Sequence, residues 1–183
     1  MPTTTRRVTK VSADADHQAL HHSNVFVSVV FPAGLLQPPY FSLSWPDYMQ
    51  FGAFGTTAGH ELSHAFDPAG RLYDKDGYLR DWWTKNTTVE FNRRKDCILE
   101  QYGNYSISDG KGGKLPLNVK LSIGEDVADG GGIEQSFRAW KSSLKSDTDE
   151  IRARNALLPG VNYTREQLFF IVGRAHFSMV GRH

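Results

Sequence analysis

The stretch that most constrains this chain is Gly55-Thr56-Thr57-Ala58-Gly59-His60-Glu61-Leu62-Ser63-His64-Ala65-Phe66-Asp67. At its centre stands H-E-x-x-H. Positions four apart share a helix face, so the spacing predicts a helix that turns His60 and His64 toward one point. Two neutral imidazoles suit a zinc ion, which they bind at about 2.0–2.1 Å. Glu61 lies beside the first histidine, placed to face a water rather than the metal. The motif reads as two metal ligands and one general base, the pattern of a zinc peptidase. The plainer alternative is a solvated helix face that carries two histidines and a glutamate. Gly52, Gly55 and Gly59 each lower helix propensity by nearly 1 kcal/mol relative to alanine, so such a helix must be held by its surroundings.

A catalytic zinc takes a third protein ligand and keeps a fourth position for water. The stretch Gly124-Glu125-Asp126-Val127-Ala128-Asp129-Gly130-Gly131-Gly132 offers one. In a helix, Glu125 and Asp129 share a face. One carboxylate could bind the ion, and the other could accept the N–H of a ligand histidine and fix its tautomer. The glycines that follow would let two helices approach closely. A solvent-facing acidic turn with a glycine-rich break is the other reading of these residues.

A wider set of motifs resembles the neprilysin and endothelin-converting-enzyme family of zinc endopeptidases. In order, these are Val30-Phe31-Pro32-Ala33-Gly34-Leu35-Leu36-Gln37-Pro38-Pro39-Tyr40-Phe41, then His60 to Asp67, then Gly70-Arg71-Leu72-Tyr73-Asp74-Lys75-Asp76-Gly77-Tyr78-Leu79-Arg80-Asp81-Trp82-Trp83. Gly124 to Gly132, Leu158-Pro159-Gly160 and Gln167-Leu168-Phe169-Phe170 follow. The likeness covers about residues 29–172. It implies that His60, His64 and Glu125 hold one Zn2+ per chain and that Glu61 is the catalytic glutamate. It implies that Asp129 acts beside the metal ligands, as a steadying carboxylate or a proton donor, and that Asp67 steadies a zinc histidine. Tyr40 and Phe41 match aromatic positions near the pocket for the residue after the cut bond. Thr56 and Thr57 stand where the family more often has apolar residues, which implies a more polar pocket.

The same resemblance implies a thermolysin-like (gluzincin-like) catalytic lobe, peptide substrates, and an extracellular or cell-surface setting. It also implies that a longer form would carry an N-terminal helical lobe, a membrane anchor, and a C-terminal segment whose histidine and arginine contact substrate. None of these is present in the chain. The Asn-Ala peptide-binding strand that the family carries before Pro-Ala-Gly has no copy around Ser23 to Val27. Cys97, the sole cysteine, resembles one that pairs near the family's C-terminus, and Ser178 stands about where another cysteine is found. Read alone, Cys97 is a buried free thiol.

Charge and composition narrow the classes further. With 21 basic and 20 acidic residues among 183, the net charge is +1, which gives no case for nucleic acid or an acidic membrane surface. No apolar run has the length of a membrane span, and Met1 to Lys10 lacks the apolar core of a signal peptide. Three N-x-[ST] sequons, at Asn86, Asn104 and Asn162, fit a secreted or lumenal protein. His17-Gln18-Ala19-Leu20-His21 copies the histidine spacing, but the amide of Gln18 cannot act as a base.

The expected fold is mainly α with a small β-sheet, with residues 1–24 as a polar tail and 25–183 as a partial catalytic domain. Val25 to Phe31 reads as a strand, and Pro38-Pro39 as an extended segment presenting Tyr40 and Phe41. Helices are expected over Gln50–Phe66, Thr87–Tyr102 and Glu125–Leu144, the last with Phe137 and Trp140 inward. Lys111–Val119 reads as a loop. Thr164 to Gln167 reads as a capping box before a helix to about Val180. Asp74-Lys75-Asp76-Gly77 reads as a turn, since the later ligands of a calcium loop are missing. Two other functional classes remain: an inactive relative that binds zinc and peptide or protein partners without turnover, and a fragment with no stable fold.

Overall fold

The computed structural model describes residues 21–23 and 28–180, with side chains for 29–174. The His17–His21 spacing, the Met1–Lys10 segment, the strand expected over Val25–Val27 and the Ser178 side chain therefore lie outside the described residues or side chains. The described part is mainly helical. Its strands form two small antiparallel pairs, β1 (His21–Ser23) with β2 (Ser28–Val30), and β3 (Ser106–Ser108) with β4 (Lys114–Pro116). The first pair sets His21 opposite Val30, and the second sets Ile107 opposite Leu115.

The motif helix is one continuous rod of changing pitch. It starts at α1 (Asp47–Gln50), behind Pro46, widens into a π-turn over Phe51–Gly55, and becomes α2 (Thr56–Ser63). It tightens to a 3-10 turn at His64–Phe66. The remaining helices are α3 (Lys85–Gly103), α4 (Val119–Ser143), α5 (Asp149–Arg154) and α6 (Arg165–Val180). Thr84 caps α3, its hydroxyl accepting the Thr87 N–H at 3.2 Å. The capping box forms before α6. The Gln167 N–H donates to the Thr164 hydroxyl at 3.1 Å, and the Thr164 N–H to the Gln167 side chain at 2.8 Å.

Three expectations are corrected. Lys111–Val119 is not simply a loop, because Lys114–Pro116 pairs as β4. The turn is closed by Asp109, whose carboxylate takes the N–H groups of Lys111 and Gly113 at 2.8 Å each. Helix α4 starts at Val119, well before Glu125. Pro38-Pro39 is a cis bond inside a tight turn rather than an extended segment, with the Tyr40 N–H on the Gln37 carbonyl at 2.9 Å. The turn at Asp74 forms as expected. Its carboxylate is taken by the N–H groups of Asp76 and Tyr78 and by Arg80.

The core lies where α1, α4 and α6 meet. Ala128, Gly132, Ser136 and Trp140 form the buried stripe of α4 at four-residue spacing. Trp140 stacks on Phe169 with ring centroids 5.8 Å apart, and Tyr48 meets it edge-on at 6.2 Å. Trp82 and Trp83 anchor the loop before α3. The Trp82 indole N–H donates to the Arg71 carbonyl at 2.9 Å, and Trp83 meets Phe91 at 5.4 Å. No described helix is long and apolar enough to cross a membrane.

A buried polar knot ties this core together. The Asn155 side-chain oxygen Oδ1 accepts the Trp140 indole N–H at 2.8 Å, and its side-chain NH2 donates to the Ile151 carbonyl at 2.9 Å and to Asp47 at 3.3 Å. Arg154 closes the Asp47 carboxylate at 2.9 Å. Asn155→Ala would leave a buried indole N–H and a buried carboxylate each one partner short. It should lower the unfolding free energy, read by denaturant titration, by about 1–3 kcal/mol.

Candidate metal centre

Helix α2 and helix α4 meet through glycine. A Cβ at Gly59 would stand 2.9 Å from the Gly132 carbonyl oxygen, and one at Gly132 only 2.6 Å from the His60 nitrogen and the Thr56 oxygen. Bare backbone on both sides lets the helices close to a distance that alanine would prevent. The contact sits beside the first histidine of α2 and one turn after Asp129 of α4. It fixes which residues of the two helices face each other.

Three side chains converge there. The Nε2 atoms of His60 and His64 are 2.9 Å apart, and Glu125 Oε2 lies 3.3 Å from the first and 3.5 Å from the second. This trio forms the one His, Cys, Asp and Glu cluster of metal-holding geometry among the described residues. Both histidines are held from behind. The His60 Nδ1–H donates to Asp129 Oδ1 at 2.7 Å, and the His64 Nδ1–H to Asp67 Oδ2 at 2.7 Å. The other oxygen of Asp67 takes the N–H groups of Ala69 and Gly70 at 2.8 and 2.6 Å.

These bonds settle the ring tautomers. With each Nδ1 carrying its hydrogen, a neutral ring presents Nε2 as an acceptor. Two ring lone pairs and a carboxylate oxygen therefore point together, an arrangement that a cation reconciles. Ligand atoms at about 2.0–2.2 Å from a tetrahedral zinc stand roughly 3.3–3.6 Å from one another. The two histidine–glutamate separations meet that value, and the ring pair needs to open by only a few tenths of an ångström. The donor set of two imidazoles and one carboxylate fits zinc. The hydrogen bond to Asp67 holds the His64 ring above the usual imidazole pKa. Burial would raise the Asp67 carboxyl, but the His64 ring and the N–H groups of Gly70 and Ala69 outweigh it and hold it below the usual range.

Other expected site residues are placed less centrally. Glu61 is buried on α2 and is not among the three converging ligand residues. Phe41 packs edge-on against Phe54 at 6.3 Å, and Tyr40, partly buried, closes the cis-proline turn. Thr57 spends its hydroxyl on the Ala53 carbonyl at 3.3 Å. Thr56 is fully buried with its hydroxyl 3.3 Å from the Phe51 carbonyl. The polarity that these threonines would lend a pocket is thus absorbed by backbone. Cys97 is exposed on α3, not buried. Two residues escaped the sequence reading: Ser136, whose hydroxyl donates to the Phe51 carbonyl at 2.6 Å, and Asn155. Ser136 is legible only as an extension of the Glu125, Asp129, Gly132 stripe.

The chain is similar to several known proteins. The family described as peptidase family M13 matches residues 21–180. Neprilysin-11 of Caenorhabditis elegans is 43% identical over 151 residues, which cover 82% of this chain and 17% of that protein. Endothelin-converting enzyme 1 of Homo sapiens is 44% identical over 144 residues, covering 78% of the chain and 17% of that protein. Among solved structures, the inhibitor complex of the Mycobacterium tuberculosis zinc metalloprotease Zmp1 superposes with a TM-score of 0.74 at 32% identity. That match covers 86% of this chain and 23% of the other. The chain spans less than a fifth of the length of the curated relatives and about a quarter of the solved one.

Proposed function

The chain belongs to peptidase family M13, and we propose that its residues 25–183 are the zinc-holding catalytic part of an endopeptidase that hydrolyses small peptides. One observation carries the reading: the Nε2 atoms of His60 and His64 and Oε2 of Glu125 converge within 3.5 Å of one another. When bound there, zinc supplies Lewis acidity, polarising a carbonyl and making water acidic enough to lose a proton near neutral pH.

The chain's own residues supply the rest. His60, His64 and Glu125 would hold the ion. Asp129 and Asp67 keep both rings in the tautomer that offers Nε2, and the 2.7 Å bond to His60 favours this orienting role for Asp129 over proton donation. Glu61 takes a proton from the attacking water and returns it to the leaving amine. Its low exposure keeps that carboxylate out of bulk solvent. Tyr40, Phe41 and Thr57 border the pocket for the residue after the cut bond. The family setting favours an extracellular or cell-surface location, with a further lobe and an anchor in a longer form.

Removing the orienting carboxylates gives a first test of this assignment. Asp129→Ala and Asp67→Ala should each weaken zinc binding by about 10–100-fold, measured by competition with a chromophoric chelator. The function itself is tested with a quenched fluorescent peptide. Cleavage abolished by a chelator and restored by zinc is the expected result. Stoichiometric zinc with no cleavage would instead support the non-hydrolytic, peptide-binding reading.

A further inference from the structure

Just ahead of the metal-binding motif, the helix carries a π-turn at Phe51–Gly55. A π-turn accommodates one residue more than an α-turn, so it advances everything after it by about 100°. Here the consequence is visible on both sides. Before the turn, Tyr48 packs into the Trp140 and Phe169 core. After it, Gly59, His60 and Ser63 face α4. One rod thus serves the core with one face and the candidate metal centre with another. Helical backbone alone does not decide where such an extra residue is taken up, so something outside the rod must pin it.

The pin is visible in the hydrogen bonds. The Phe51 carbonyl, released from the regular ladder, accepts the Thr56 N–H, the Thr56 hydroxyl at 3.3 Å and the Ser136 hydroxyl at 2.6 Å. Ser136 is buried, and it lies on the same α4 stripe as Glu125, Asp129 and Gly132. Gly55 keeps the lane open, for a Cβ there would stand 2.5 Å from the Ser136 oxygen. We propose that Ser136 is a positioning residue: its hydroxyl fixes the π-turn at Phe51–Gly55 and so sets the rotation of α2 that brings His60 and His64 opposite Glu125. The consequence for the metal rests on the zinc reading above; the geometry does not.

The test uses the full chain and reads the metal rather than turnover. Zinc affinity is measured by chelator competition, and ligand geometry by the visible spectrum of the cobalt(II)-substituted protein. Ser136→Ala is expected to weaken zinc about tenfold and to change the cobalt spectrum. Gly55→Ala attacks the same bond from the other side with Ser136 intact. Alanine is the better helix former, so a purely structural role would leave zinc binding unchanged or tighter. The proposal expects it weaker, with the altered spectrum. Thr84→Ala, which uncaps α3 away from the turn, serves as the control for general destabilisation and should keep wild-type affinity and spectrum.

Wild-type affinity and spectrum in both Ser136→Ala and Gly55→Ala would overturn the proposal. So would the same losses in Thr84→Ala. If the wild-type chain takes up no zinc, the metal reading fails by itself, and Ser136 is judged by amide exchange in the metal-free chain. Exchange at Phe54 to Thr57 should then be faster in both turn variants, and unchanged rates would overturn the pin.

Discussion

Glu61→Gln should keep its zinc and lose peptide hydrolysis by about 10²–10⁴-fold in kcat/KM, the range that a positioned general base supplies. The substitution is nearly isosteric and leaves His60, His64 and Glu125 untouched, so metal content should equal that of the wild type. What it removes is the ability to accept a proton, because an amide has no basic oxygen at neutral pH. Glu61 is buried on the motif helix, so bulk water is poorly placed to substitute for it. Zinc content by elemental analysis, alongside turnover of a quenched peptide, separates the two functions. Turnover close to wild type in the zinc-loaded variant would remove Glu61 from the chemistry.

The second large effect concerns two glycines of α4 separated by one residue. Gly132→Ala should destabilise the protein by about 1–3 kcal/mol, the usual cost of overpacking, and should weaken zinc with it. Its added Cβ meets backbone, the His60 nitrogen and Thr56 oxygen at 2.6 Å, which cannot swing aside as a side-chain tip would. Gly130→Ala, in the same helix, meets nothing within 4 Å. There only the propensity gain remains, and stability should rise by up to about 1 kcal/mol. Opposite signs at Gly132 and Gly130 would identify the helix–helix approach, rather than helix propensity, as what these glycines are for. Denaturant unfolding of the two variants supplies the comparison, and equal shifts would contradict it.

Much of the centre was legible because its information is local. H-E-x-x-H places two rings on one helical face whatever surrounds it, and Glu125 with Asp129 repeats that logic. The division of labour between those two carboxylates came from family resemblance; Glu125 Oε2 lies near both Nε2 atoms, and Asp129 Oδ1 lies at the His60 Nδ1. The capping box at Thr164 and the turn at Asp74 were legible for the same local reason. What could not be read depends on residues far apart in the chain. The π-turn owes its place to Ser136, which lies 85 positions from Phe51. Asn155 reaches Asp47 across 108 positions. The β3–β4 hairpin was hidden because Lys, Gly and Pro dominate its composition, and its order comes from Asp109 gathering backbone N–H groups. The Thr56 hydroxyl turns inward to the Phe51 carbonyl, an orientation that composition alone does not reveal.

The most direct test of the whole account is a zinc titration of the wild-type chain and of Glu125→Ala, followed by calorimetry. The wild type should bind one zinc ion per chain, and the variant should bind at least about tenfold more weakly, because two imidazoles alone leave the ion without its third protein ligand. Equal affinity in the two proteins would show that Glu125 does not close the site, and the metal centre described here would be wrong.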